Sequence, residues 1–407
     1  MFFEYEKEIK EKLEDYDLLV DGHIKIPSHI WVDITTNFTK KEIIEHLSKI
    51  IEDNNLPYPS PVYQPHVLKQ DFKKLKRESN RVKEGAWECM RTLPPNVPLT
   101  FKGTPYYIQA TSNGLKISDQ FAHIERAKCG HFNHRSPWKE WTREDHVSKV
   151  RPVLRVMWGL QKEDCLKKGV GKKQLRDCLR LANFLASQFK PSCARSLYNF
   201  FGAKRVLDFS AGWGDRLVGF LASNAESYIG IDPNTKMHTV YQQVVDYCNV
   251  GKETKLICSP AEDADLSDVK VDFVFTSPPY FDIERYSEED TQSWKRYGDI
   301  DSWLVGFLFP TLKKCWDCLE DGGRIAINIT DKGHVTDTER TIICEPMLTY
   351  MESLGATFEG IIGYRMNKRP GLDMGDVGGA IHCEPIWIWS KGEAPLPNQD
   401  QDHFFLT

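Results

Sequence analysis

Val206-Leu-Asp-Phe-Ser-Ala-Gly-Trp-Gly-Asp-Arg-Leu217 reads as a strand, a tight turn and the start of a helix. The strand ends at Asp208. Ser210, Ala211, Gly212 and Gly214 are small enough to bring the backbone round sharply, and a flat ligand can approach glycine closely. The spacing is not GxGxxG and there is no GxxxxGK[ST], so phosphate-loop chemistry does not fit. The next apolar run, Tyr228-Ile-Gly-Ile-Asp-Pro-Asn234, ends on an acid about 24 residues after Asp208. That distance suits a carboxylate accepting both ribose hydroxyls of a nucleoside. The competing role for Asp232 is a cap for the helix that follows.

The alternation continues outward from these turns. Strand-like runs are Arg205–Asp208, Ser227–Asp232, Lys255–Cys258, Asp272–Thr276 and Arg324–Ile329. Helical runs are Asp215–Ser223, Thr235–Val250, Ser302–Leu319 and Arg340–Leu354. Alternating strands and helices imply an α/β fold with a mostly parallel, doubly wound sheet. Phe358–Arg365 and Glu384–Trp389 have no helix between them, which predicts an antiparallel pair at the sheet edge. Upstream, helices fit residues 173–188 and 192–201. Lys167–Lys173 (KKGVGKK) reads as a hinge or a phosphate-touching loop, and residues 66–84 as a basic helix. Residues 55–65 form a Pro-rich connector. Thr39 and Glu42 form a capping box for a helix to about Asp53. Residues 23–35 read as strand broken at Pro27, and residues 92–120 as short strands. The expected organisation is an N-terminal α+β region over 1–165, a Rossmann-like domain over 166–392, and a polar tail over 393–407.

Composition sets limits. Of 407 residues, 41% are apolar and 27% charged, ordinary globular usage. No apolar run approaches the ~18 residues of a membrane span, and the first residues do not resemble a secretory signal. Eleven cysteines, odd in number and without framework spacing, suggest reduced thiols and an intracellular protein of cytoplasm or nucleus, viral origin included. The net charge of −5 is unevenly spread: −6 over 1–63, +15 over 64–200 and −14 over 201–407. A basic block with Trp138, Trp141 and Trp158 among Arg135, Lys139, Arg143 and Arg151 suits a polyanion binder. In that reading the rings stack on unpaired bases and the cations meet phosphates. Tryptophans buried in a core give the same string.

The most specific stretch is Val271-Asp-Phe-Val-Phe-Thr-Ser-Pro-Pro-Tyr-Phe-Asp282. Two successive prolines fix φ and remove amide donors, so a carbonyl can point out of the sheet. Together the three stretches resemble the S-adenosylmethionine (SAM)-dependent methyltransferases that modify exocyclic amino groups of nucleobases, over roughly residues 185–392. The resemblance implies SAM as cofactor. Its methionine part would be held by Asp208–Gly214 (Asp208, Ser210, Ala211, Gly212, Trp213, Gly214) and by Lys190, Pro191 and Ser192. Asp232 and Pro233 would take the ribose, and Ala261, Glu262 and Ser277 would complete the site. Pro260 stands where an acid often sits in the family. Ser277, Pro278, Pro279 and Tyr280 would be catalytic, with hydroxyl and carbonyl oxygens accepting from the target amine and the Tyr280 ring stacking on the base. Because the SPPY motif follows the SAM loop, the subgroup implied usually recognises its target C-terminally. Here only about 125 residues follow Tyr280, so recognition falls to the basic N-terminal part.

Target contacts are expected from Phe281, Arg285, Lys368, Arg369, Trp138 and Arg143, with Phe281–Trp303 as a lid or a surface excursion. DNA is the favoured partner, with the serine of SPPY leaning towards cytosine over adenine. An RNA amino-methyltransferase and an inactive binding protein of the same fold are the alternatives. Cys129, His131 and His134 do not make a standard zinc spacing, and Cys315 and Cys318 read as core, so no metal is expected.

Overall fold

The computed structural model describes residues 12–89, 93–131, 135–144, 146–183, 185–331, 341–366 and 381–398. Two compact units emerge: residues 1–62 with 126–186, and residues 63–125 with 187–407. This division differs from the sequence boundary at 165. Residues 63–125 contain strands that belong to the large sheet, so they fold with the C-terminal half.

That sheet has ten strands. In chain order they are β1 (Val82–Glu84), β2 (Glu88–Cys89), β3 (Tyr106–Ile108), β4 (Arg205–Asp208), β5 (Ser227–Asp232), β6 (Glu253–Cys258), β7 (Val271–Thr276), β8 (Leu319–Asn328), β9 (Thr357–Arg365) and β10 (His382–Ser390). The spatial order is β1-β3-β9-β10-β8-β7-β4-β5-β6, with β2 beside β10. Strands β6, β5, β4, β7 and β8 run parallel. Strand β10 is antiparallel to both β8 and β9. The order reverses between β4 and β7, and ligands of open α/β sheets bind at such a switch point.

The expected strands appear within a few residues of their sequence bounds. Strand β7 is buried almost end to end, as a central parallel strand must be. The β9–β10 pair also forms, but it is not the edge: β3 adds to β9 through Gly363↔Tyr107 and Tyr364↔Ile108. Gly360 makes this possible. At φ +113° it sits where a Cβ would come 2.1 Å from the Thr100 carbonyl oxygen. Lys102 N–H donates to Glu359 O and Ile361 N–H to Thr100 O. The main core, including Trp303, Leu308, Ile325, Ile327, Met347, Trp387 and Trp389, lies against this sheet.

The other unit is mainly helical: Ser28–Asn37, Lys40–Asp53, Pro137–Thr142, Lys162–Lys168 and Lys172–Ala182, with a ribbon of Leu19–Val20 and His23–Ile24. The Thr39–Glu42 capping box is present. Residues 28–35 are helix rather than strand. Trp31 and Ile34 are the buried pair, one helical turn apart, and Pro27 stops the preceding strand. The end of the 92–120 stretch, expected as short strands, is also helix from Leu115, in an element that runs to Lys128. The KKGVGKK stretch is a structural turn: Ile26 and Val170 exchange backbone hydrogen bonds, and a Cβ on Gly169 would meet Ile26 O at 2.0 Å. All eleven cysteines are free thiols. No helix among the described residues is long and apolar enough to cross a membrane.

Candidate functional site

Asp208, Asp232 and Thr276 end the neighbouring strands β4, β5 and β7 on one rim of the sheet. Asp208 is fully buried. Its carboxylate accepts from Arg216 Nε (2.8 Å) and Nη2 (3.3 Å), the Tyr228 hydroxyl (2.8 Å), the Thr276 hydroxyl (2.8 Å) and Ser210 N–H (3.2 Å). Both oxygens are spoken for, so Asp208 fastens β4, β5, β7 and the following helix rather than facing a ligand. Burial works against the Arg216 charge, but the Asp208 carboxylate more than offsets it and holds the guanidinium above its usual range. Arg216, Tyr228 and Thr276 escaped sequence reasoning. The eight-residue spacing of Asp208 and Arg216 was visible, but only the fold shows that they meet.

The loop after β4 is tied to β5. Gly212, at φ +59°, donates its N–H to Asp232 Oδ2 at 2.8 Å. The Tyr241 hydroxyl donates to Gly212 O at 2.5 Å. Asp232 Oδ1 accepts from Asn234 N–H at 2.9 Å, and His238 Nε2 lies 2.9 Å from Asp232 O. Burial pushes the Asp232 carboxyl up to about 6, against the pull of the Asn234 and Gly212 amides. Asn234, not Asp232, caps the next helix, accepting from Lys236 N–H. Each Asp232 oxygen thus accepts one backbone N–H, and each keeps a second lone pair. Ser210, Gly212 and Pro233 are half-buried, while Ala211, Trp213 and Gly214 are buried.

After β6, Ala261 is buried. Glu262 is buried too, with Oε1 held by Arg296 Nη1 (2.7 Å) and the Tyr297 hydroxyl (3.0 Å). Its Oε2 has no hydrogen-bond partner among the described residues. Burial raises the Glu262 carboxyl. Such an oxygen suits an amine donor, and Asp232 suits a diol, so the residues present fit the adenosine of SAM.

Before the helix Pro191–Phe200, Lys190 donates its N–H to the Tyr364 hydroxyl and its Nζ to Ala110 O, both at 3.3 Å. Burial lowers its pKa. Pro191 and Ser192 turn inward, and the Ser192 hydroxyl accepts from Thr111 N–H. They set the wall of the loop rather than its surface.

The Ser277–Tyr280 corner follows β7 directly. Ser277, Pro279 and Tyr280 are half-buried and Pro278 is buried. The Tyr280 hydroxyl lies 3.5 Å from Glu384 Oε2. Burial, then the Glu384 charge, push its pKa well up, against a hydrogen bond with the Ser277 side chain. Glu384, on β10, is an acid at this corner that no motif marked.

Other expected contacts are placed differently. Phe281 packs its ring on buried Trp303. Arg285 stacks over Trp294. The segment after Tyr280 lies on the loops that follow β4, β5 and β6, through Tyr286 against Trp213, Glu289 on Thr235, Thr291 on Pro233 O, and Arg296 on Glu262 and Asp263. Arg143 is buried in the helical unit, bonded to Glu140 and to Ser148 O. Trp138 stacks on Tyr58, and Arg151 is held by Trp141 O and Ser48 O. Trp141, Arg143 and Arg151 are core, which corrects the reading of Arg143 as a target contact, while Trp138 and Trp158 pack half-buried against that core. The charge block divides as well. The helical unit holds 22 Lys/Arg and 19 Asp/Glu, the sheet unit 31 and 39, so neither carries the +15 of the linear stretch. Lys368 and Arg369 lie outside the described residues, as does His134. No metal-binding group of three or more His, Cys, Asp or Glu occurs among the described residues.

Comparison with protein families matches residues 271–404, from the first residue of β7, to the DNA methylases. No curated protein matches the sequence. Solved structures that resemble it include a SAM-dependent O-methyltransferase from Thermotoga maritima. That likeness has 13% identity and a TM-score of 0.32, covering 51% of this chain and 67% of that one. TrmN from Thermus thermophilus is 13% identical with a TM-score of 0.33, over 49% and 48% of the two chains. A putative rRNA-methylase from Clostridium thermocellum is 17% identical with a TM-score of 0.31, over 52% and 100%. The match thus spans about half of TrmN and two thirds of the Thermotoga enzyme.

Proposed function

With residues 271–404 matching the DNA methylases, we propose that the chain is a SAM-dependent methyltransferase acting on the exocyclic amino group of cytosine or adenine in DNA. One observation carries the reading. The Ser277–Tyr280 corner is joined, through the Thr276–Asp208 hydrogen bond, to the loop whose Gly212 is fastened to Asp232. Catalytic corner and nucleoside loop are thereby held in one frame.

Bound there, SAM supplies a methyl group on a sulfonium. Asp232 would accept from the ribose hydroxyls and Glu262 Oε2 from the adenine amine. Ser210, Gly212 and Lys190 would border the methionine part. An aromatic amine is a poor nucleophile because its lone pair is spread into the ring. The Ser277 hydroxyl and the Pro278 carbonyl would accept its two N–H bonds and favour tetrahedral nitrogen. Tyr280 would stack on the base and fix its plane. Most of the acceleration then comes from alignment and fixed dipoles. The amine proton becomes acidic only after transfer, and no strong base is needed before it. A base within a duplex cannot reach such a corner, so it is flipped out or arrives unpaired.

Labelled SAM is incubated with duplex DNA, single-stranded DNA and RNA, and the nucleosides are identified by mass. The reading expects methylated cytosine or adenine from DNA. Label in RNA alone, or nowhere, overturns it. Tyr280→Ala is expected to abolish transfer with cofactor affinity nearly unchanged.

A further inference from the structure

Among the described residues, the helix Pro65–Lys76 is where basic residues of the linear block are left together on an open face. Leu68, Asp71, Phe72 and Leu75 form its buried side. Lys69, Lys73, Lys74 and Lys76, with Arg77 at its end, are exposed on the opposite half. None of the five has an ion-pair partner among the described residues. The only acid of the helix, Asp71, is buried and committed to Lys116 at 3.1 Å. Elsewhere several helical lysines are neutralised at i,i+4: Lys167 with Glu163, Lys168 with Asp164, Lys173 with Asp177, Lys313 with Asp317. The helix dipole accounts for cations in the last turn, but not for Lys69 or for the lack of any acid on the face. Beside it, burial lowers Lys252 to about 8, with the like charges of Lys76 and Arg195 adding to the effect.

We propose that this face of Pro65–Lys76, with Arg77, docks on the phosphate backbone of duplex DNA. The inference rests on the DNA reading above and names the surface that reading leaves unassigned. From Lys69 to Lys76 the helix rises about 10 Å at ~1.5 Å per residue, which spans about three phosphates at ~3.4 Å of axis per strand step. Phosphates meet unpaired cations here without the displacement of a protein carboxylate. Each contact releases condensed counterions, so binding falls with salt at about 0.9 log units per phosphate per log unit of salt.

The test uses the full chain and a labelled duplex across a salt series. The combined variant Lys69→Gln, Lys73→Gln, Lys76→Gln, Arg77→Gln is compared with a control carrying Lys167→Gln, Lys168→Gln, Lys173→Gln. With about three phosphates no longer neutralised, the log–log slope becomes shallower by about 2.7, so the fall in affinity between about 50 and 200 mM salt shrinks about 40-fold. The control is expected to keep the native slope. An unchanged slope in the first variant, or an equal change in the control, overturns the proposal. So does a slope that changes for RNA or anionic vesicles but not for duplex DNA. Methyl transfer to a short unpaired oligonucleotide is measured in parallel. If the native chain shows the expected slope but transfers no methyl group, the surface stands and the catalytic reading falls. If transfer persists and the slope does not move, only the surface falls.

Discussion

Arg216→Met removes one side chain from the Asp208 network and leaves the rest in place. The ion pair is 6% and 0% exposed on its two sides, with Nε–Oδ2 at 2.8 Å. Without the guanidinium, the carboxylate stays buried with two hydroxyls and one amide as donors. Breaking a buried pair from one side costs about 3–5 kcal/mol, because the remaining charge is uncompensated. For the sheet unit, residues 63–125 with 187–407, an unfolding entropy of ~2.1 cal/mol/K per residue turns this into a Tm lowered by about 5–8 °C. Asp208→Asn with Arg216→Met removes both charges; Asn keeps one oxygen for the Thr276 hydroxyl and Ser210 N–H, and its NH2 faces the Tyr228 hydroxyl, which can accept instead of donate. The double variant is therefore expected to be less destabilised than the sum of the two single changes by about 2–3 kcal/mol, a coupling typical of contacting residues. Urea unfolding of the four proteins of the cycle, with midpoints and slopes compared, gives the number. Additive losses, or an Arg216→Met loss below about 1 kcal/mol, would refute the view that Asp208 is a buried fastener.

Asp232 gives a pH signature. The fold raises its carboxyl from the ordinary 3.8 to about 6, so the folded state holds that proton more tightly than the unfolded chain. Its stabilising contribution is full below pH 3.8 and lost as pH rises through about 6, by about 3 kcal/mol. The stability of Asp232→Asn relative to the native chain should therefore improve between about pH 4 and 7; a flat difference contradicts the shift. Adenosyl-ligand affinity of the native chain, which needs the ionised form, should weaken below about pH 6, as calorimetry would show. Gly219→Ala normally gains helix propensity, about 0.5–1 kcal/mol. Here the added Cβ would meet Pro191 O at 2.6 Å and Ala194 Cβ at 2.8 Å, so a net loss of about 1–3 kcal/mol is expected in thermal unfolding.

The sequence showed most of what lies at the strand ends. Strand β7 and the turn after β4 are local patterns: a continuous apolar run meets proline, or small residues follow a strand. Asp232 was legible for the same reason. Long-range pairing was not. Nothing local tells that Thr276 and Tyr228 converge on Asp208, that Ser192 is claimed by Thr111, or that Glu384 stands beside Tyr280. The charge block is weaker in the fold than in the sequence because the fold separates it, giving 126–186 to one unit and 63–125 to the other. Arg143 misled because an aromatic–cation string has the same composition whether its cations face solvent or are buried on a carboxylate such as Glu140.

The pairing of β3 with β9 also has a cost in time. Tyr107 and Ile108 meet Gly363 and Tyr364, about 250 residues further along the chain. At ~5–20 residues per second on the ribosome, roughly 10–50 s pass before the partner strand exists. During that interval Trp87, Tyr106 and Ile108 have no finished sheet to join. Translation delivers this outer seam first and its mate about 250 residues later, so the nascent polypeptide must be shielded through that interval, by chaperones or by transient packing.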